Sequence, residues 1–300
     1  MNIYGAKKIG EYQNGNYKVK IWNDGTKIRI SDDGSFIPNR LESLDCKVTN
    51  FCNMNCQFCH EKSTIDGKHG DLDNPIIDTF EPYTEIAIGG GNPLSHPDLE
   101  KFLKHLVALK CFPNITVNQV HFLEEFERLK KMRDEKLFYG LGVSVFNPDE
   151  DLASKLLEFP NAVVHTIAGI TTLQMLRKMS NLGIKKILIL GYKNYGRGEQ
   201  FYNDNVKKSI NELKENMQEI RTLFEVLSFD NLAIKQLEIK NIMSEAEWNE
   251  FYMGDDGCYT MYLDLVEKKY AKSSTSKERF DLLPTINEMF LDIRKKKGLD

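Results

Sequence analysis

A regular alternation of short apolar runs with amphipathic stretches fills the middle of this 300-residue chain and restricts its fold more than any other feature. Residues 43–49 read as a strand, followed by strands over 84–88, 114–118, 138–145, 162–169 and 185–192. Helical patterns lie between them. Over 99–110 the apolar residues Leu99, Phe102, Leu103, Leu106 and Val107 recur at helical spacing, opened by His96-Pro97-Asp98. Further helices are predicted around 123–133 and over 148–157 and 172–182, whereas the segment after the first strand is a polar, glycine-containing loop from His60 to Pro75. Repeated strand–helix–strand order implies a parallel sheet with helical crossovers, and six such steps are too few for a closed eightfold barrel. Ligands in such folds gather at the C-terminal strand ends, so the residues just after each strand are the candidate site residues.

The flanks are different in kind. Residues 8–40 form a small β preface: Tyr17-Lys18-Val19-Lys20-Ile21-Trp22 alternates, Asn23-Asp24-Gly25 supplies turn chemistry, and 26–30 alternates again as a hairpin partner. We read it as a cap on one end of the core. After residue 200 the pattern predicts a long polar helix over 201–227, an edge strand over 231–239 and a turn-rich loop at 251–257. A strand over 258–264 then pairs with 270–274, and a closing helix over 284–297 ends in the basic Arg294–Lys297 tail, suited to a helix C-terminus. The expected organisation is a preface (1–42), a core (43–200) and a C-terminal extension (201–300).

The first strand runs into Cys52-Asn53-Met54-Asn55-Cys56-Gln57-Phe58-Cys59, three thiols within eight residues. Asn53, Asn55 and Gln57 are polar, so packing does not account for the loop. Three soft thiolates on one short loop can grip a soft metal centre or one face of an iron–sulfur cluster, leaving one coordination position unfilled. Zinc, with His60 or His69 as fourth ligand, is the weaker reading, because zinc loops use paired Cys-x2-Cys knuckles from two places and no second pair exists. Cys56-Gln57-Phe58-Cys59-His60 also spells the c-type haem attachment motif, but haem leaves Cys52 unexplained and residues 1–8 carry no apolar signal core. The same lack of a signal, and the crowding of the thiols, disfavour disulfides.

The three-then-two spacing, with an aromatic before the last Cys, resembles the signature loop of the radical S-adenosylmethionine (SAM) enzymes. The resemblance implies that Cys52, Cys56 and Cys59 hold three irons of a [4Fe–4S] cluster whose fourth iron binds the amino and carboxylate groups of SAM. An electron from the reduced cluster would cleave SAM to methionine and a 5′-deoxyadenosyl radical, which abstracts hydrogen from substrate. Phe58 would lie near the adenine. The implied fold is α/β, an open (β/α)6 partial TIM barrel with the N-terminal β-hairpin cap and a C-terminal α+β extension that completes the barrel, covers its mouth and chooses the substrate.

Gly90-Gly91-Asn92-Pro93 resembles the second motif of that family, Gly-Gly-Glu-Pro, whose backbone and Glu hold the SAM amino group. Asn92 stands where the Glu would be and offers a carbonyl acceptor without the charge. By the same analogy Asn118 and Ser144 would meet the ribose or carboxylate, Ile167 and Gly169 would pack the adenine, and Gly191 and Tyr192 would read its edge. Plain core packing of Ile167, and strand-end hydrogen bonds for Asn118 and Ser144, stay open as alternatives. His165 reads as a core histidine; Arg197, in a glycine-flanked loop, suits anion recognition but reads as an ordinary surface arginine. Cys258 is a candidate donor of the hydrogen atom that quenches a substrate radical, with a free structural Cys as the plainer account. Cys46, Cys111 and Cys258 are far apart and lack the pattern of an auxiliary cluster, so one cluster is expected.

Composition narrows the substrate less. Forty basic against 44 acidic residues give a net charge of −4 without long like-charge blocks, so nucleic acid is not indicated by charge. No apolar run approaches a membrane span, and six Cys without a secretory signal fit the cytoplasm. A peptide or protein is the first substrate expectation, a nucleotide or RNA the second and a small metabolite the third; the electron would come from a donor such as flavodoxin or ferredoxin. A glycyl-radical activase would need a partner enzyme. From a different class, the loop could serve a non-enzymatic structural metal- or cluster-binding protein, but the glycine run at 89–93 argues against that, since a structural site needs no open ligand crevice.

Overall fold

Alternating burial of Tyr17, Val19 and Ile21 builds the first layer of the computed structural model, which describes residues 6–298. β1 (Lys8–Asn14), β2 (Tyr17–Trp22) and β3 (Lys27–Ile30) form an antiparallel three-stranded sheet, so the expected hairpin is present with one more strand. Its apolar face packs on Phe112 and Tyr83, at or just before the starts of two core strands. Arg29 and Tyr17 both bond the buried Glu42, which precedes the first core strand.

The main sheet has ten strands. β4 (Ser43–Thr49), β5 (Glu85–Gly90), β6 (Phe112–Asn118), β7 (Gly140–Ser144), β8 (Ala162–Ile167), β9 (Lys186–Leu190) and β10 (Val226–Phe229) are neighbours in sequence order and parallel. β11 (Thr260–Asp264) pairs parallel with the other side of β4, and β12 (Lys269–Ala271) and β13 (Phe280–Asp281) follow antiparallel. The order 10-9-8-7-6-5-4-11-12-13 does not return on itself, so the barrel is open. Between the core strands run α1 (Leu99–Ala108), α2 (Gln119–Glu124), α3 (Phe126–Asp134), α4 (Glu150–Leu157) and α5 (Leu173–Asn181). Then come α6 (Arg197–Phe201), α7 (Asp204–Glu215), α8 (Met217–Leu223), α9 (Asn231–Gln236), α10 (Glu245–Phe251) and α11 (Ile286–Lys296). No described helix is long and apolar enough to cross a membrane.

The strands have two unlike faces. Leu44, Cys46, Val48, Ile86, Ile88, Ile115, Val117, Leu141, Val143, Ile187 and Ile189 enter one buried core with the helices. On β4 to β7 the alternate residues are polar or small: Asp45, Lys47 and Thr49 on β4, Ala87 and Gly89 on β5, Thr116 and Asn118 on β6, Gly142 and Ser144 on β7. On β8 His165 lies between Val163 and Ile167 on that face, and β9 presents Leu188 and Leu190 there. A cavity of about 450 Å³ is lined by Asp45 of β4 and by Phe229 and Asp230 at the end of β10. Five strands lie between them in the sheet order, so the sheet curves strongly around its polar face.

Three expectations about the helices and the edge need correction. The helix over 201–227 is broken into α6, α7 and α8: Asn203 caps α7 through bonds from the Asn205 and Val206 amides, and Asn216 ends it. The helix around 123–133 is two, divided at Glu125. Residues 231–239 are not a strand. Asp230 Oδ1 accepts from the Ala233 amide and starts α9, while the edge strand lies just upstream as β10.

Candidate functional site

The Cys loop leaves β4 with its entry held against β5. Thr49 O accepts from the Gly91 amide at 2.8 Å, and Phe51 O from the Asn92 amide at 2.7 Å. The approach is closer than a side chain allows: a Cβ on Gly90, whose φ is +112°, would stand 2.4 Å from Thr49 O, and one on Gly91 2.1 Å from Phe51 O. Further along, the Cys52 amide donates to Thr64 O and the Cys59 amide to Cys56 O. His121 Nε2, in α2 after β6, lies 2.6 Å from Asn53 Oδ1. Arg197, expected as a surface residue, instead binds the loop: Nε donates to Cys56 O at 2.9 Å and Nη2 to Ser63 O at 3.0 Å.

The thiols of Cys52, Cys56 and Cys59 are free and half-buried. Burial pushes the Cys52 and Cys56 thiols up, their mutual proximity adds to this, and the Arg197 charge opposes it. Among the described residues no three His, Cys, Asp or Glu side chains converge as ligands of a single metal ion. Tetrahedral zinc, with bonds of ~2.3 Å, would draw its sulfurs to about 3.8 Å from one another. The two histidines that could complete a zinc site are engaged: His60 Nε2 faces Glu61 and Lys193, and His69 Nδ1 meets the Thr49 hydroxyl. Three neighbouring thiols without a fourth protein ligand fit a cluster in which each thiolate takes a separate iron. Gly89 adds an open cradle, since nothing lies within 4 Å of where its Cβ would be.

Other expected residues fall at the same end of the sheet, with qualifications. Phe58 packs edge-on against Phe146 and Phe201, at 6.3 and 6.0 Å between centroids. Asn92 is buried and its Oδ1 accepts from the Leu94 amide, capping the short turn Pro93–Ser95. Asn118 Oδ1 likewise caps α2 through the Val120 amide. Asn118, Ser144 and His165 are in register on adjacent strands and form a polar row. The His165 ring lies against Gly142, and burial pulls its pKa down to about 4. Ile167 ends β8, and Gly169 is closely apposed to Val206 and Ile210 of α7. The Gly191 amide donates to Asp230 Oδ1, and Tyr192 exchanges two bonds with the Gln236 side chain. The Gly191 amide and both backbone groups of Tyr192 are thus engaged within the protein.

Cys258 is placed away from the Cys loop. It precedes β11, whose Thr260 pairs with Ser43 at the start of β4, whereas the Cys loop follows the end of β4. Seven residues of strand separate the two levels by roughly 20 Å. Cys258 therefore lies toward the strand starts, at the opposite end from the Cys loop.

The sequence reading missed a buried ionic network beside the loop. Lys47 Nζ lies 2.9 Å from Glu61 and 3.2 Å from Asp264, and Tyr262 donates to Glu61. Lys193 joins His60 to the Ser274 hydroxyl. Burial works against the Glu61 charge, but His60 and Lys47 outweigh it and hold the carboxyl well below the usual range. Asp45 goes the other way: enclosure raises it, Lys193 opposes, and Asp256, Asp230 and Glu61 add to the rise. The available signal was a Lys and an Asp alternating with apolar residues in Leu44-Asp45-Cys46-Lys47-Val48, which marks a strand with one polar face.

Residues 46–204, more than half of the chain, match the family model described as Radical SAM superfamily. Among solved structures, SuiB of Streptococcus suis bound to the precursor peptide SuiA is similar with a TM-score of 0.56 at 14% identity, covering 82% of this chain and 63% of that one. SuiB bound to S-adenosylmethionine gives 0.55 at 15%, covering 85% and 64%. The chain thus spans less than two thirds of the length of SuiB, and at these identities the likeness is one of fold. No curated protein matches.

Proposed function

The chain belongs to the radical SAM superfamily and is an enzyme, and from that premise we propose that Cys52, Cys56 and Cys59 hold one [4Fe–4S] cluster and that SAM-derived radical chemistry acts on a peptide or protein. The observation that carries this reading is the three-thiol loop, fastened at the C-terminal end of β4 beside the open Gly89 and the polar face of a curved sheet. When bound and reduced, the cluster supplies the electron that cleaves SAM, giving the species that abstracts hydrogen from substrate.

The protein's own part is to bind, orient and exclude. The three thiolates leave one coordination position for the amino-acid end of SAM, and Gly89 leaves room for it. The side chains of Asn118 and Ser144, on the same face, suit hydroxyl or carboxylate groups. Phe58, with Phe146 and Phe201 around it, makes an aromatic wall for the adenine and keeps water from the cluster. A peptide substrate is favoured by the likeness to SuiB, whose structure was solved with a precursor peptide. A cytoplasmic donor such as flavodoxin or ferredoxin would supply the electron.

The test is anaerobic reconstitution with iron and sulfide, reduction with dithionite, and addition of SAM. Wild type is expected to give 5′-deoxyadenosine and a SAM-dependent change in the cluster's EPR spectrum, and Cys52→Ala, Cys56→Ala and Cys59→Ala are expected to give neither. Tight zinc binding without cluster or SAM cleavage would replace this reading with a structural metal site. For the substrate class, a deuterated peptide digest should pass deuterium into 5′-deoxyadenosine; transfer only from a deuterated nucleotide pool would move the assignment to nucleic-acid chemistry.

A further inference from the structure

We infer that Arg197 is a positioning residue for the cluster, one that fixes the Cys loop before any metal arrives and whose permanent charge raises the cluster's reduction potential. The inference rests on the radical SAM reading above.

One residue bonds two of the three ligand positions directly and reaches the third through its neighbours. The Arg197 guanidinium donates to the carbonyl of Cys56, and its backbone amide donates to the carbonyl of Cys59 at 3.0 Å. Its other donor holds Ser63 O, next to Thr64, whose carbonyl accepts from the Cys52 amide. The flanking glycines make this approach possible: Gly196 has a φ of +64°, and a Cβ there would stand 2.2 Å from His60 O. A fork of donors in fixed geometry suits carbonyls arranged around a loop, and lysine cannot reproduce it.

The loop is anchored behind as well. Tyr192 OH donates to Gly198 O at 2.7 Å, while Gln236 of α9 holds the Tyr192 backbone on both sides. A continuous strap therefore runs from α9 through Tyr192 and Gly198 to Arg197 and the thiols. Net charge and hydrogen bonding around a cluster set its potential. A guanidinium beside the cluster favours the more negative, reduced state.

Charge and geometry are separable by substitution in the full chain. Arg197→Gln removes the charge and keeps a short donor; Arg197→Lys keeps the charge and loses the fork. Tyr192→Phe loosens the strap without changing charge. In metal-free protein, hydrogen exchange of the amides over 52–64 should speed about tenfold or more in all three. In reconstituted protein titrated by EPR, only Arg197→Gln should lower the reduced-to-oxidised ratio about tenfold at a fixed poise, equivalent to ~59 mV for one electron. Wild-type exchange in the Arg197 variants would overturn the preorganising role. A wild-type potential in Arg197→Gln, or an equal shift in Tyr192→Phe, would overturn the electrostatic one. If wild type takes up no cluster, the radical SAM reading fails by that result, and the exchange measurement still decides whether Arg197 shapes the loop.

Discussion

Lys47 sits between the Glu61 and Asp264 carboxylates, and all three side chains are nearly excluded from solvent. The charges are affordable only together. Lys47→Met should therefore destabilise the protein by about 3–5 kcal/mol, because two carboxylates would be left buried without their cation. Urea denaturation checks this, and a loss below 1 kcal/mol would mean that the network relaxes into water. His165 gives a prediction with a pH sign. Its folded pKa is about 4, below the ordinary 6.5, so between those values the unfolded chain binds a proton that the folded chain refuses. Stability attributable to His165 is complete above pH 6.5 and is lost as pH falls toward 4. His165→Gln should flatten the wild-type decline between pH 6.5 and 4 by on the order of 2 kcal/mol. Parallel melts at pH 7 and pH 5 measure it, and equal slopes would contradict an imidazole held neutral by its surroundings. The three-thiol loop was legible from spacing alone. Arg197 was not, because its partners lie 141 and 134 positions away.

At the level of elements, periodicity identified the core strands, whose helix-facing residues are apolar and whose other face carries the polar residues. It failed over 231–239 because a short run such as Leu232-Ala233-Ile234 reads equally as strand or helix. Asp230 decided the matter. It caps α9 and also receives the Gly191 amide, tying the helix to the end of β9. Asp230→Ala should cost about 1–2 kcal/mol from the cap and leave the Gly191 amide without its acceptor. Loosening α9 should also speed exchange at Tyr192, through Gln236. A variant with wild-type stability and exchange would show that the cap is dispensable. The long helix over 201–227 failed for a related reason: Asn203 and Asn216 compete for backbone bonds and divide it, a local signal outweighed by the continuous polar pattern.

For the whole molecule, the C-terminal region contributes strands to both sides of the core. β10 extends the sheet beyond β9, while β11 returns to the free side of β4, with Tyr262 opposite Asp45 and Asp264 opposite Lys47. Truncation after residue 200 should expose β4 as an edge and leave Lys47 without Asp264. The shortened chain is expected to aggregate on refolding, whereas a monodisperse, cooperatively melting fragment in light scattering and calorimetry would show that residues 6–200 fold alone. The sequence by itself determined the parallel alternation, the small β preface and the three-thiol loop, because these are properties of neighbouring residues and of side-chain period. Tertiary structure alone decided that Arg197 braces the thiols, that Cys258 lies at the other end of the strands, and that Asp45 and Asp230 share one cavity. Those contacts depend on sheet order and curvature, which join positions far apart in the chain through burial and hydrogen-bond geometry that no local pattern records.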